Sequence, residues 1–93
     1  MRIEDDTVVF KSVEGYFEKE KDGRKPNTVR ILSEYEAGII YNMWDAKRLS
    51  RIRIELRDQD KIDSFERELT DVTWAGSFLG YYIVVFSWRH KDE

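Results

Sequence analysis

The sequence predicts an α+β domain whose strands are mostly antiparallel, with one or two short helices, and three stretches carry that prediction. Arg51-Ile52-Arg53-Ile54-Glu55-Leu56 alternates polar and apolar residues without a break, as a strand with one buried face requires. Tyr81-Tyr82-Ile83-Val84-Val85-Phe86-Ser87-Trp88 is apolar at nearly every position, the pattern of a strand covered on both faces. Between Gly23 and Pro26 a helical segment gives way to an extended one.

In chain order, Thr7-Val8-Val9-Phe10-Lys11 is rich in β-branched and aromatic residues and reads as the first strand. Ser12 is placed to cap a helix over Glu14 to Asp22, in which Tyr16 and Phe17 are the large apolar residues that pack inward. Gly23 sits where a left-handed residue ends that helix. Pro26 forbids continuation and drives Lys25 toward an extended conformation, so a strand follows. Alternation there sends Val29 and Ile31 to the core and leaves Thr28 and Arg30 on the other side, toward the surface.

Ser33-Glu34-Tyr35-Glu36 matches a capping box, and a helix from Glu34 to about Ala46 aligns Ile39, Ile40, Met43 and Trp44 on one face. After the alternating strand, Asp58-Gln59-Asp60 is a polar turn that returns the chain through Ile62, Phe65, Leu69 and Val72 as an antiparallel partner. Arg51 and Arg53 then face Glu66, Arg67 and Glu68, for which cross-strand ion pairs are the plain explanation. Two glycines within Thr73 to Gly80 read as a turn or short loop before the last strand. Arg89 to Glu93 is a charged tail that holds His90.

Ninety-three residues make one domain, 1–93, because there is no room for two separate cores. Charged residues are 38% of the chain, but 41% hydrophobic and 14% aromatic residues supply the bulk that disordered chains lack. Without cysteine there is no disulfide, thiolate nucleophile or cysteine-held zinc, and one histidine makes a transition-metal site a poor expectation. No cofactor is expected. No apolar run follows the charged amino terminus and none of spanning length occurs elsewhere, which leads to the expectation of a soluble, cytoplasmic protein. A net charge of −3 argues against coating nucleic acid by charge alone. The cations are nevertheless clustered: Lys19, Lys21, Arg24, Lys25 and Arg30 in one group, Lys47, Arg48, Arg51 and Arg53 in another. Lys19 and Lys21 are best explained by pairing with Glu18, Glu20 and Asp22 on a solvated helix.

The spacing Gly23-x-Lys25-x-x-Thr28-x-Arg30 after a short helix resembles the signature of the ASCH domains, members of the PUA-like group. The likeness implies a small β-barrel of five to six mostly antiparallel strands, closed by the last strand. ASCH-type sequences place a Gly-Asp pair and then a strand soon after the motif, whereas here Gly38 is followed by Ile39. Residues 38–44 can therefore continue the helix or, on the family pattern, start a strand.

The resemblance implies a module that binds RNA or a nucleotide-like small molecule, with Arg24, Lys25, Thr28 and Arg30 on phosphate or base edges. Lys47, Arg48, Arg51, Arg53 and the aromatics Trp74 or Tyr35 would be further nucleic-acid contacts, the aromatics by stacking. It also implies an alternative, an amidohydrolase acting on acetylated cytidine, in which Lys25 is the base and Thr28 the nucleophile. Neighbouring Arg24 and Arg30 would favour loss of the lysine proton. The carboxylate those enzymes use is missing from Trp74 to Gly80, which leaves Glu68 or Asp71 as substitutes. A third alternative is a protein-interaction module docking through the face from Ile39 to Trp44.

Overall fold

The computed structural model describes residues 1–12, 14–58 and 61–89, with the side chains of 14–16, 57, 58 and 61 outside the description. Six strands and two helices follow in the order β1 (Arg2–Glu4), β2 (Thr7–Ser12), α1 (Glu14–Lys21), β3 (Asn27–Ser33), α2 (Glu34–Asp45), β4 (Arg51–Asp58), β5 (Lys61–Phe78) and β6 (Tyr81–Trp88). The strands form one mixed sheet in the order β1-β2-β4-β5-β6-β3, in which only β2 and β4 run parallel.

β5 is 18 residues long, and its register shifts between Leu69 and Asp71 and again between Trp74 and Gly76. Each extra residue bends and twists the strand. Its first half pairs with β4 and its second half with β6, so the sheet turns over on itself and encloses a core. Phe10 packs edge-on against Phe86 at 5.1 Å, and Phe17, Phe65 and Trp88 form a chain at 5.3 and 6.1 Å. β1 and β3 are left as the two edges, and no backbone ladder joins β2 to β3 among the described residues.

Several expectations are met for the stated reasons. Gly23 has φ of 90° at the end of α1, and Ser33 and Glu36 form the capping box of α2. Residues 38–44 are helical: Ala37 and Ile40 are buried, and Tyr41, Met43 and Trp44 pack against the core. Ile40, Met43 and Trp44 of the expected face thus turn to the core, whereas Ile39 is half-buried and is not part of that cluster. β4 and β5 form the expected hairpin, with Arg53 bound to Glu66 at 2.7 Å across it and to Glu4 at 2.8 Å.

Other expectations are corrected. The strand β3 is turned over: Thr28 is 3% exposed and Leu32 is buried, whereas Val29 and Ile31 are 52% and 60% exposed. Thr28 and Arg30 lie opposite Phe86 and Val84 of β6, on the inner side of the sheet. Thr73 to Phe78 is strand, because Gly76 serves a bulge and Leu79-Gly80, both at positive φ, make the tight turn into β6. Ile62 is exposed, and Arg67 pairs with Ile52 on the inner side, where its Nη2 donates to the carbonyl of Lys21 at the end of α1. A cation there offsets the negative end of the helix. Ser12 closes β2. Glu14, the first residue of α1, follows residue 13, which lies outside the described residues together with the Tyr16 side chain, the tip of the Asp58-Gln59-Asp60 turn and His90. The strand β1 is an addition that three residues between charges did not signal; Asp5, at φ of 54°, makes its turn into β2.

Candidate anion-binding site at the motif

The motif residues meet because a helix end and a strand start are brought together. Gly23 and Pro26 reverse the chain after α1, and the N–H of Lys25 donates back to the carbonyl of Lys19 at 3.0 Å. This folds the first residues of β3 against the last turn of α1, and there the side chain of Glu20 lies 1% exposed. Its Oε2 stands 3.8 Å from Nζ of Lys25, and its Oε1 has no hydrogen-bond partner. Burial pushes the Glu20 carboxyl up from its usual value; a hydrogen bond with Thr28 and the charges of Lys25 and Arg30 only partly oppose this.

Arg30 is held on three sides. Its Nε donates to Oγ1 of Thr28 at 3.0 Å, its Nη1 to the carbonyl of Lys11 at 2.8 Å, and its guanidinium lies 4.8 Å from the centre of the Phe10 ring. Burial lowers its pKa while Glu20 raises it. The Arg30 side chain thus crosses the open seam between β2 and β3. On one side of it stand Lys25, Thr28 and Glu20. On the other a cleft of about 720 Å³ opens, lined by Arg30 with Met1, Arg2, Lys11, Ile31 and Glu36 among others, but not by Lys25 or Thr28.

No protein family, no curated protein and no solved structure matches the chain. The site therefore has to be read from its own geometry.

Of the residues singled out by sequence, Lys25, Thr28 and Arg30 converge. Arg24 points its guanidinium to Asp22 at 2.7 Å and is well exposed beside them. The second basic group does not join: Arg51 and Arg53 alternate on β4 with the buried Ile52 and Ile54 and so stand on the outer face, away from Thr28 and Arg30, and Arg53 is committed to two carboxylates. Lys47 and Arg48 lie in the connection after α2, and Trp74 is an exposed residue of β5. Tyr35 is exposed in the first turn of α2. Glu68 faces Arg51, and Asp71 accepts from the hydroxyl of Thr73 at 2.7 Å opposite Ser87, so both stand on the outer side of the sheet, away from Thr28. Glu20 is the carboxylate that the motif carries with it. Its spacing, five residues before Lys25 across a glycine turn, was visible, but so regular a run of charges on α1 gave no sign that one of them turns inward. Among the described residues no group of three or more acidic, histidine or cysteine side chains could hold a metal ion, and no helix is long and apolar enough to cross a membrane.

Proposed function

We propose that this chain is an ASCH-like module, built on a nearly closed barrel, that binds RNA or a nucleotide-like anion at Lys25 and Arg30, the latter oriented by the buried Thr28, with Arg24 at the rim. The observation that carries the reading is the pairing of two fixed cations with one buried carboxyl. Thr28, the Lys11 carbonyl and the Phe10 ring hold Arg30 in place, and the Lys25 ammonium stands 3.8 Å from the Glu20 carboxyl. With two cations against one carboxyl the cluster keeps an excess of positive charge whether or not Glu20 is ionised, and a guanidinium with its orientation set in advance loses little entropy on gripping a phosphate.

Glu20 also gives a second reading a footing, because it supplies a carboxylate beside Lys25 and Thr28 for an amidohydrolase of acetylated cytidine. Against it, the Thr28 hydroxyl is buried and already accepts from Arg30, so a substrate carbonyl has no open approach to it.

The test is a titration of wild type and Lys25→Ala with a short single-stranded RNA, nucleoside monophosphates and acetylated cytidine, with product analysis on the same samples. Binding that weakens with salt and falls about tenfold on losing Lys25, without turnover, is the expected result. Deacetylation that disappears in Glu20→Gln and Thr28→Val would replace the binding reading with the enzyme. No binding in any arm would reject both.

A further inference from the structure

Glu20 projects from the last turn of α1 beneath the first residues of β3, where its side chain is almost fully enclosed. Its Oε1 has no hydrogen-bond partner, and its Oε2 stands 3.8 Å from Nζ of Lys25, beyond hydrogen-bond reach. A buried carboxylate is ordinarily met by donors on both oxygens. Here the contact is a hydrogen bond with Thr28, and Lys25 and Arg30 act on it by charge. The carboxyl therefore neutralises part of the cationic pair without being what holds it. Arg30 is fixed by Thr28, the Lys11 carbonyl and the Phe10 ring, and the backbone of Lys25 is tied to the carbonyl of Lys19. Each of these contacts survives a proton on Glu20.

The other charged groups around this end of α1 are differently placed. On the helix itself, Lys21 is paired with Asp63 at 2.8 Å, and Glu18 and Lys19 are exposed. Asp22 holds Arg24 at 2.7 Å. From β5, Arg67 donates to the carbonyl of Lys21 and stays cationic throughout. Among the carboxyls here, Glu20 is the enclosed one, and desolvation raises it above its ordinary value of 4.5. With Glu20 ionised, Lys25, Arg30 and Glu20 together carry one positive charge; with Glu20 protonated they carry two.

We infer that Glu20 is a proton-operated gate on the anion site: with the proton on, Lys25 and Arg30 present both charges to a phosphate, and with it off the carboxylate competes with the phosphate for them. The inference rests on the anion-binding reading above and adds its regulation. A unit charge removed a few ångströms from a bound anion changes affinity by about tenfold once solvent and salt screen it. Reciprocity then fixes the converse effect. If the proton tightens anion binding about tenfold, the bound anion raises the Glu20 pKa by about one unit.

The experiment titrates the full chain with a uridine dinucleotide joined by one phosphodiester, at pH values from 8 down to about 4.5, following backbone amide shifts. A diester is used because a phosphate monoester changes its own charge near about pH 6. Wild type should bind about tenfold more tightly as pH falls through the raised Glu20 value. Glu20→Gln, which keeps the shape and removes the charge, should bind at every pH as tightly as the acidified wild type. Glu18→Gln, an equal charge change at an exposed place on the same helix, should keep the pH dependence of wild type. The carbon-13 shift of the Glu20 carboxyl reports its titration without any substitution, and its midpoint should lie above 4.5 and rise by about one unit at saturating dinucleotide. Binding whose pH dependence persists in Glu20→Gln, or a Glu20 midpoint that the dinucleotide leaves unmoved, overturns the gate and leaves the anion site standing. No binding at any pH in wild type and Glu20→Gln overturns both.

Discussion

Glu20 has the most unusual environment of the carboxyl groups described. It is almost fully enclosed, one oxygen has no partner, and its nearest cation stands at 3.8 Å, beyond hydrogen-bond reach. Its folded-state pKa is raised, chiefly by desolvation, so the folded state holds the proton more tightly than the unfolded chain does. The stability this brings is present in full below the usual carboxyl value of 4.5 and is lost as pH rises through the raised folded value. Urea unfolding of wild type and Glu20→Gln across that window should show the wild type losing stability relative to the variant as pH rises. A constant difference would mean that Lys25, Thr28 and Arg30 hold the carboxylate better than its burial suggests. Arg67 and Arg30 show a related point at single residues. Both were legible as surface cations, yet one caps a helix end and the other crosses a seam, because a long side chain reaches partners remote in sequence.

At the level of the element, β3 is the most instructive. Alternation divides Val29 and Ile31 from Thr28 and Arg30, and that division holds. Which set faces inward was inverted, because hydrophobicity alone favoured the aliphatic pair. The inner places go to a hydroxyl and a guanidinium because Glu20 and Phe10 wait there for them, and neither is near in sequence to both. Val29→Asp should therefore cost about 1 kcal/mol or less, the scale of a strand-propensity change at an exposed site. Leu32→Asp, on the buried face, should abolish the cooperative urea transition by burying an unpaired charge. Matching losses in the two variants would return Val29 to the core. The helix α2 followed the capping box at Ser33 and the apolar residues Ile40, Met43 and Trp44, signals that are local and so survive without tertiary information.

Across the whole molecule, the bulges in β5 turn one sheet into two facing halves, and the aromatic contacts between them carry much of the core. Phe10 has a double place there, packed against Phe86 inside and beneath the Arg30 guanidinium at the seam. Phe10→Ala should cost about 3 kcal/mol or more, as large-to-small core changes do. The same change should also release Arg30, so thermal melting and anion binding should fall together. Melting unchanged within a degree would place the stability of the fold elsewhere. By itself the sequence determined the strands that alternate or run apolar, the helix stop at Gly23, the capping box at Ser33 and the motif spacing, all written in residues a few positions apart. Only the tertiary structure decided the inward face of β3, the burial of Glu20, the continuation of β5 past Gly76 and the open seam beside Arg30. Each of those depends on which distant surface arrives opposite, and a chain's local pattern constrains its own periodicity but not its partner.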